Sequence, residues 1–380
     1  MKTVAVVLAT EPQHGGGHQY AKLVAESLKE LTEEGFEVIG FCLNEYWIDW
    51  CNKNRIVCYR LKWKSVFPWI NLKFPVLSRL FGMHMTDVGK LIIKNSVDVL
   101  FVTSQLMSIA NWHTKIIIPV HDLMHRYEPD FPEVKAQYKI REDILQCQAK
   151  YAYCVLTDSK LGCKQFTESY LLNCRKEPSV ISLPFAVPEH IGQGREEYIE
   201  VPSKFVFYPA QFWKHKNHIN LLRAVKLVKE TVPDVHLVLV GSEKNSQEEI
   251  EEYIQFNDLA NNVTIMGFVT DENMTYLYKH AVGMIMPSFF GPTNIPPLEA
   301  MALGCPVAVS NKYAMPEQVG NAGLLFDPCS PHEIAYCIKR LWEDDELRKK
   351  MIIMGYKKIQ SWTRDDFKEA IKDIVKNCLS

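Results

Sequence analysis

Two doubly wound α/β domains joined by a linker are what this sequence predicts. Apolar runs that read as buried strands alternate with helical patterns, and the alternation occurs twice. Between the two series lies Pro184–Pro202, with three prolines, two glycines and a cluster of acids. A chain of 380 residues is long enough for two well-buried cores. The expected bounds are 1–187 for the first domain and 203–361 for the second, followed by a last helix over 362–380.

Composition narrows the function. A formal net charge of −2 argues against a dedicated nucleic-acid binder. Eleven cysteines without a C-x-x-C pair fit free thiols in a reducing cytosol. No apolar run approaches the roughly 18–20 residues that span a bilayer. Thr3–Ala9 is apolar and follows Lys2, but Glu11 and three glycines come at once, so it reads as a first strand rather than a leader.

Val4–Ala9 therefore opens the first sheet. Gly15, Gly16 and Gly17 follow, and a helix runs from His18 to about Glu33. Strand, glycine loop and helix form a phosphate-approach geometry, although the spacing is not G-x-G-x-x-G and three glycines also serve a tight turn. Phe36–Cys42 is the second strand. From Trp50 to Thr86 there are seven basic residues and no Asp or Glu, interleaved with Trp63, Phe67, Trp69, Phe74 and Phe81. That pattern suits either an anionic membrane interface or a solvated basic face over buried aromatics. Val97–Thr103 and Lys115–Val120 are further strands. The second runs into His121-Asp122-Leu123-Met124-His125-Arg126, polar groups at the carboxyl end of a parallel strand, where open α/β sheets bind ligands. One long helix is expected from Glu133 to Tyr151. Ala152–Thr157, a helix capped by Asp158-Ser159, and the strand Ser179–Leu183 complete the domain.

The second sheet restarts at Phe205–Tyr208. The loop from Pro209 to Asn217 holds Gln211, Lys214, His215 and Lys216 ahead of a helix from His218 to about Glu230, and basic groups at such a turn can clamp a diphosphate. Val235–Val240 ends in Gly241, and Gln247–Ala260 is helical. Val263–Met266 leads through Gly267, Phe268, Val269 and Thr270 into a helix at Asp271. Phe268 reads equally as core. After the strand Val282–Met286, a turn-rich loop with Gly291, Pro292, Thr293 and Asn294 precedes Pro296 and Pro297, which suit the first turn of a helix. Gly304 stops that helix and Pro306–Val309 begins another strand. The helix N-terminus suits a phosphate, and Glu299 in its first turn can accept hydrogen bonds from hydroxyls. A nucleotide with its ribose carries both groups. Gly323–Phe326 is the last strand, and helices over Pro331–Trp342, Asp345–Ser361 and Thr363–Asn377 close the chain.

The stretch Met286–Ser310 closely resembles the donor-site signature of the family 4 retaining glycosyltransferases, which have two glutamates separated by seven residues around a Pro-Leu-Glu-Ala helix start. Glu299 matches the second glutamate, and Gly291 stands where the first would be. His121–Arg126 resembles the family's H-D-x-x-H-R segment. Gln211–Lys216 resembles its Gly-Arg-x4-Lys segment, with Gln211 in the arginine's place. The resemblance covers nearly the whole chain and is strongest over Phe205–Trp342. It implies the GT-B fold, two Rossmann-like doubly wound domains facing each other across a cleft, with the last helix crossing back onto the first.

It also implies an activity: retaining transfer of a sugar from a nucleotide-diphosphate sugar to a hydroxyl of a glycan or lipid-linked acceptor, in cell-envelope polysaccharide synthesis. The expected place is the cytoplasm, at the inner face of the membrane if 50–86 binds anionic lipid. His121, Lys216 and Glu299 are implied as catalytic. Donor contacts are implied for Gly16, Gly17, Gln211 and Gly241, for backbone groups of Phe268 and Val269, and for Thr293, Asn294, Ile295, Pro296 and Leu298. Acceptor contacts are implied for Asp122, His125 and Arg126. No Asp-x-Asp occurs, so no metal or other cofactor is expected, and positive groups would neutralise the leaving diphosphate. At Gly291 the sugar-binding duty either passes to Thr293 and Asn294, or the glycine relaxes a turn and water fills the space. The two departures, Gly291 and Gln211, keep a non-catalytic sugar-nucleotide-binding protein open, as well as another GT-B activity such as an epimerase or a phosphorylase.

Overall fold

The computed structural model describes residues 1–12, 15–62, 87–107, 109, 114–172, 177–191, 195–291 and 293–380. Most of the basic, aromatic stretch read above, 63–86, lies outside them. The chain divides into two compact units: Met1–Pro129, Ala136–Phe185 and Arg364–Ser380 form one, and Asp130–Lys135 with Ala186–Thr363 the other.

In the first unit β1 (Thr3–Leu8) is followed by α1 (Gly16–Glu30), β2 (Glu37–Cys42), α2 (Glu45–Lys53), β3 (Val57–Arg60), α3 (Asp87–Lys94), β4 (Val99–Val102) and β5 (Lys115–Val120). Then come α4 (Met124–Tyr127), α5 (Pro132–Lys135), α6 (Tyr138–Tyr151), β6 (Cys154–Thr157), α7 (Lys160–Tyr170) and β7 (Ser179–Ser182). The strands pair in parallel in the order β3-β2-β1-β4-β5-β6-β7. Every residue of β1 is buried, as expected for a central strand covered on both faces. The edge strand β3 is at most half-buried, so it lacks the continuous apolar run that marks a strand in sequence, and it was not expected. The expected helix over Glu133–Tyr151 is instead two, α5 and α6. Glu133 is bonded within the second unit, so α5 goes with that unit and α6 starts afresh at Tyr138.

The second unit runs β8 (Val206–Pro209), α8 (His218–Lys229), β9 (Leu237–Val240), α9 (Gln247–Phe256), β10 (Val263–Met266), α10 (Asp271–His280), β11 (Gly283–Met286), α11 (Ile295–Ala302), β12 (Val307–Ser310), α12 (Met315–Val319), β13 (Gly323–Phe326), α13 (Pro331–Glu343) and α14 (Asp345–Gln360). Its strands are parallel in the order β10-β9-β8-β11-β12-β13. Strand order reverses between β8 and β11, and such a switch point opens a crevice at the carboxyl ends of the strands. The two loops that leave it are 210–217 and 287–294, the same loops that carry Lys216 and lead into Glu299.

The last helix, α15 (Arg364–Leu379), returns to the first unit and packs on α1. Phe367, Ile371 and Val375 bury its apolar face. Arg364 and Lys368, one turn apart, pair with Glu26 (2.6 Å) and Glu30 (2.9 Å) on α1. No described helix is long and apolar enough to cross a membrane.

Candidate active site

Lys216 ends a short 3-10 turn, Lys214–Lys216, and Asn217 follows in the left-handed region (φ 62°). Asn217 is buried, and its amide donates to Pro287 O (2.9 Å) and Pro328 O (2.8 Å), which ties this loop to the one after β11. The Lys216 ammonium then lies 3.5 Å from Asn294 Oδ1, at the N-cap of α11. A cation and a helix start therefore converge, as a diphosphate requires. Pro296 and Pro297 carry no amide hydrogen and Glu299 already lies in the i→i−4 ladder, so Ile295 and Leu298 hold the amides nearest this helix start. Gln318 brackets Asn294, accepting from its N–H (3.0 Å) and donating to its carbonyl.

Lys214 does not stand in for the missing arginine. Its ammonium is 3.9 Å from Glu249 and half exposed. Gln211 is exposed and accepts from Trp213 Nε1 (2.9 Å). Gly241 has a steric reason: a Cβ there would lie 2.2 Å from Ala210 O, so only glycine lets β9's end approach the loop backbone. Phe268 is 92% exposed, which rules out the core reading and leaves a bare ring beside Val269 at the end of β10.

Glu299 sits on α11 with its side chain 14% exposed. Burial raises its carboxyl to about 7, against the hydrogen bond it accepts from Tyr278 Oη at 2.8 Å. His190 approaches to 3.8 Å, so residues read as linker line this carboxylate. At position 291 the backbone has φ +119°, and a Cβ would meet the Asn294 side-chain amide at 2.8 Å. Glycine is therefore required by the turn. The Asn294 side chain is engaged by Gly291 O (3.1 Å), Met315 Sδ (3.2 Å) and Lys216.

A further support was not legible in sequence. Glu133 of α5 accepts from His215 N (3.1 Å) and Nδ1 (2.5 Å) and from Asn245 Nδ2 (2.9 Å). Burial alone would raise this carboxyl, but those hydrogen bonds hold it at about 2. His215 also stacks on Phe290, with centroids 4.1 Å apart. The residue next to Lys216 is thus fixed from two sides.

In the first unit, Gly16 and Gly17 begin α1, and Gly15 before them takes φ 56°. His121 leaves β5 with its side chain 21% exposed. Its Nδ1 faces both Asp158 oxygens (3.0 and 3.2 Å), and its ring stacks on Phe185 and meets the edge of Tyr20. Burial works against protonation, but the Asp158 carboxylate prevails and raises the imidazole's pKa. Asp158, read only as part of a cap, thereby acquires a second task. It follows Thr157, the register partner of Val120, so neighbouring parallel strands deliver both residues to one place.

The three residues expected to touch an acceptor are each engaged by neighbours within the first unit. His125 is 0% exposed, with Nε2 3.2 Å from Glu142 and 3.1 Å from Tyr170 Oη. Arg126 forks onto both oxygens of Glu142, donates to Ser169 O and lies over the Tyr170 ring. Asp122 pairs with Arg141, accepts from Met124 N (3.0 Å) and from Gln105 Nε2 (3.1 Å). Burial would raise Asp122, but Arg141 and these bonds hold it below the usual carboxylate range. Paired charges of this kind shape the loop beneath His121.

Residues 194–358 match the model of the family described as Glycosyl transferases group 1. The match covers less than half of the chain. Lys216, Asn294 and Glu299 all lie inside the matched stretch. Among curated proteins, O-antigen chain mannosyltransferase B of Escherichia coli is 32% identical over 146 residues, 38% of each chain. O-antigen chain mannosyltransferase RfbU of Salmonella typhimurium is 24% identical over 213 residues, 56% of each. The matches thus span about two fifths to just over half the length of these relatives. Among solved structures, a glycosyltransferase from Rickettsia africae superposes with TM-score 0.71 at 17% identity, over 100% of this chain and 99% of that one. HepE of Anabaena in complex with UDP gives 0.70 at 16%, over 99% of this chain and 100% of that one. The fold shared with these proteins is GT-B.

Proposed function

We propose that the protein is a retaining glycosyltransferase that moves a sugar from a nucleotide-diphosphate sugar to a hydroxyl of a glycan or lipid-linked acceptor. The single observation that carries this is the convergence of Lys216, the α11 start and the buried Glu299 at the switch point of the second sheet. Lys216 and the amides of Ile295 and Leu298 stabilise the departing diphosphate, and such charge stabilisation counts most in the transition state. Glu299 accepts the ribose hydroxyls. His121 is proposed to hydrogen-bond the donor sugar, with Asp158 fixing its tautomer and charge. The bond from the anomeric carbon to the diphosphate breaks as the acceptor oxygen forms its own bond on the same face. The acceptor proton passes to a leaving-phosphate oxygen, and a nucleoside diphosphate is released.

Names of the relatives support polysaccharide synthesis as the setting and a mannosyl donor as the first to try. UDP in the HepE complex supports a nucleotide site in this fold. No metal is part of the proposal, and peripheral contact with anionic membrane through 50–86 belongs to it. The test is release of nucleoside diphosphate from UDP-, GDP- and dTDP-linked hexoses, with and without a lipid-linked glycan. Acceptor-dependent release supports transfer. Tight donor binding without release under any acceptor would leave a non-catalytic binder. Co-sedimentation with anionic vesicles, before and after Lys62, Lys64 and Lys73 are changed to Glu, tests the membrane contact.

A further inference from the structure

Three thiols meet at the edge of the first sheet. Cys42 ends β2, Cys51 lies on α2, and Cys58 lies on β3, whose register places it opposite Gly40. Their sulfurs all lie within 4.8 Å of one another, and Cys42 and Cys51 approach to 3.7 Å. Cys42 and Cys51 are buried, and Cys58 is half-buried. Gly40 makes the space: a Cβ there would lie 2.6 Å from Cys51 Sγ and 3.3 Å from Cys42 Sγ. Its φ lies outside the left-handed region, so room for the sulfurs is the reason for a glycine here.

We propose that Cys42, Cys51 and Cys58 form a binding site for a thiophilic d10 cation, Zn²⁺ or Cu⁺. Geometry is the first argument. A metal about 2.3 Å from each sulfur, with tetrahedral or trigonal angles, sets the sulfurs roughly 3.8–4.0 Å apart. The Cys42–Cys51 separation already has this length, and the third sulfur needs to move by less than 1 Å (about 4.8 to about 4.0 Å). Chemistry is the second. Among the described residues the group is all sulfur, with no imidazole or carboxylate, which selects soft cations over Mg²⁺ or Ca²⁺. A disulfide would use two of the three thiols and leave the third without a task.

On binding, each thiol gives its proton to solvent and its sulfur lone pair to the metal, with no change of oxidation state. For Cu⁺ three sulfurs complete a trigonal site. For Zn²⁺ a water on the half-buried Cys58 side supplies the fourth ligand. Such an ion would lace edge strand β3 and helix α2 to β2, a structural role separate from sugar transfer.

The experiment uses the full chain, reduced and desalted under argon, then loaded with Zn²⁺ or with Cu⁺. Bound metal is measured by mass spectrometry, and Co²⁺ is followed by its thiolate charge-transfer absorption. The expected result is a single ion per chain and a raised Tm. Cys58→Ser and Cys51→Ser should each lower affinity by about 100-fold or more, since even outer-sphere partners account for 10–100-fold. The control Cys329→Ser, at an exposed thiol elsewhere, should leave binding unchanged. Loading by one cation and not the other identifies which it is. Failure of the wild-type chain to retain either metal, with all three thiols still reactive or with Cys42 and Cys51 joined as a disulfide, would overturn the site. The wild-type measurement decides even if a serine variant fails to fold.

Discussion

Replacing Glu299 by Gln should stabilise the protein while weakening its grip on the donor. Glu299 is moved by burial from 4.5 to about 7, and its side chain is only 14% exposed, so solvent screens it little. At about 1.4 kcal/mol per tenfold change in proton affinity, holding the ionised carboxylate costs roughly 3 kcal/mol. The folded value lies above the unfolded one. The cost is therefore absent below pH 4.5, grows between 4.5 and about 7, and is fully present above that. Glutamine is isosteric and still accepts from Tyr278. For a unit of this size 1 kcal/mol corresponds to about 2–4 °C in Tm, so the variant should melt roughly 6–12 °C higher near pH 8 and no higher near pH 4.5. Donor-free melting across that range measures it. Calorimetry with a nucleotide sugar should show weaker binding, because a charge-assisted hydrogen bond contributes about 1.5–3 kcal/mol and a neutral amide less. A gain of equal size at both pH extremes would mean altered packing rather than relieved charge. Lower stability near pH 8, or unchanged donor affinity, would refute the assignment itself.

Lys216→Ala should lower turnover on the order of 10²-fold, whereas Lys214→Ala, paired with Glu249 on the surface, should change it little; steady-state kinetics compare them. Asp158→Asn should lower the titration midpoint of His121, read by NMR. Because the folded His121 value is raised, its stabilisation is present below pH ~6.5 and is lost as pH rises through the folded value, so this variant should lose most stability in acid. Glu133→Gln weakens the anchor of His215 and should reduce turnover by up to about 10²-fold through displacement of the Lys216 loop; because the folded carboxyl is held at about 2, below its unfolded value, the donor-free Tm should also fall at neutral pH and the difference should vanish in acid.

The donor half of the site was legible because its chemistry is local. Lys216 and Glu299 each follow a buried strand within one loop, and strand order alone brings those loops together. Contacts across long separations were not. Glu133 and His215 are 82 residues apart, and nothing in a helical pattern tells that its first turn leaves the helix. The pairing of His125 and Arg126 with Glu142 was not legible either, because a polar cluster at a strand end looks alike whatever it faces. Edge strand β3 escaped notice since none of its residues is fully buried, and the convergence of Cys42, Cys51 and Cys58 depends on that strand's register.

The clasp of α15 on α1 has a consequence for synthesis. Tyr20 of α1 lies against Phe367, and Glu26 and Glu30 pair with Arg364 and Lys368 of the last helix. Nearly two hundred residues of the second unit emerge from the ribosome after Phe185 and before that helix is available. At about 5–20 residues per second this is roughly 10–40 s during which an apolar, acidic face of the N-terminal unit stands uncovered. A chain stopped before Arg364 would hold that face open permanently. The first unit to be made is thus the last to be finished, and a chaperone that shields α1 has its window there.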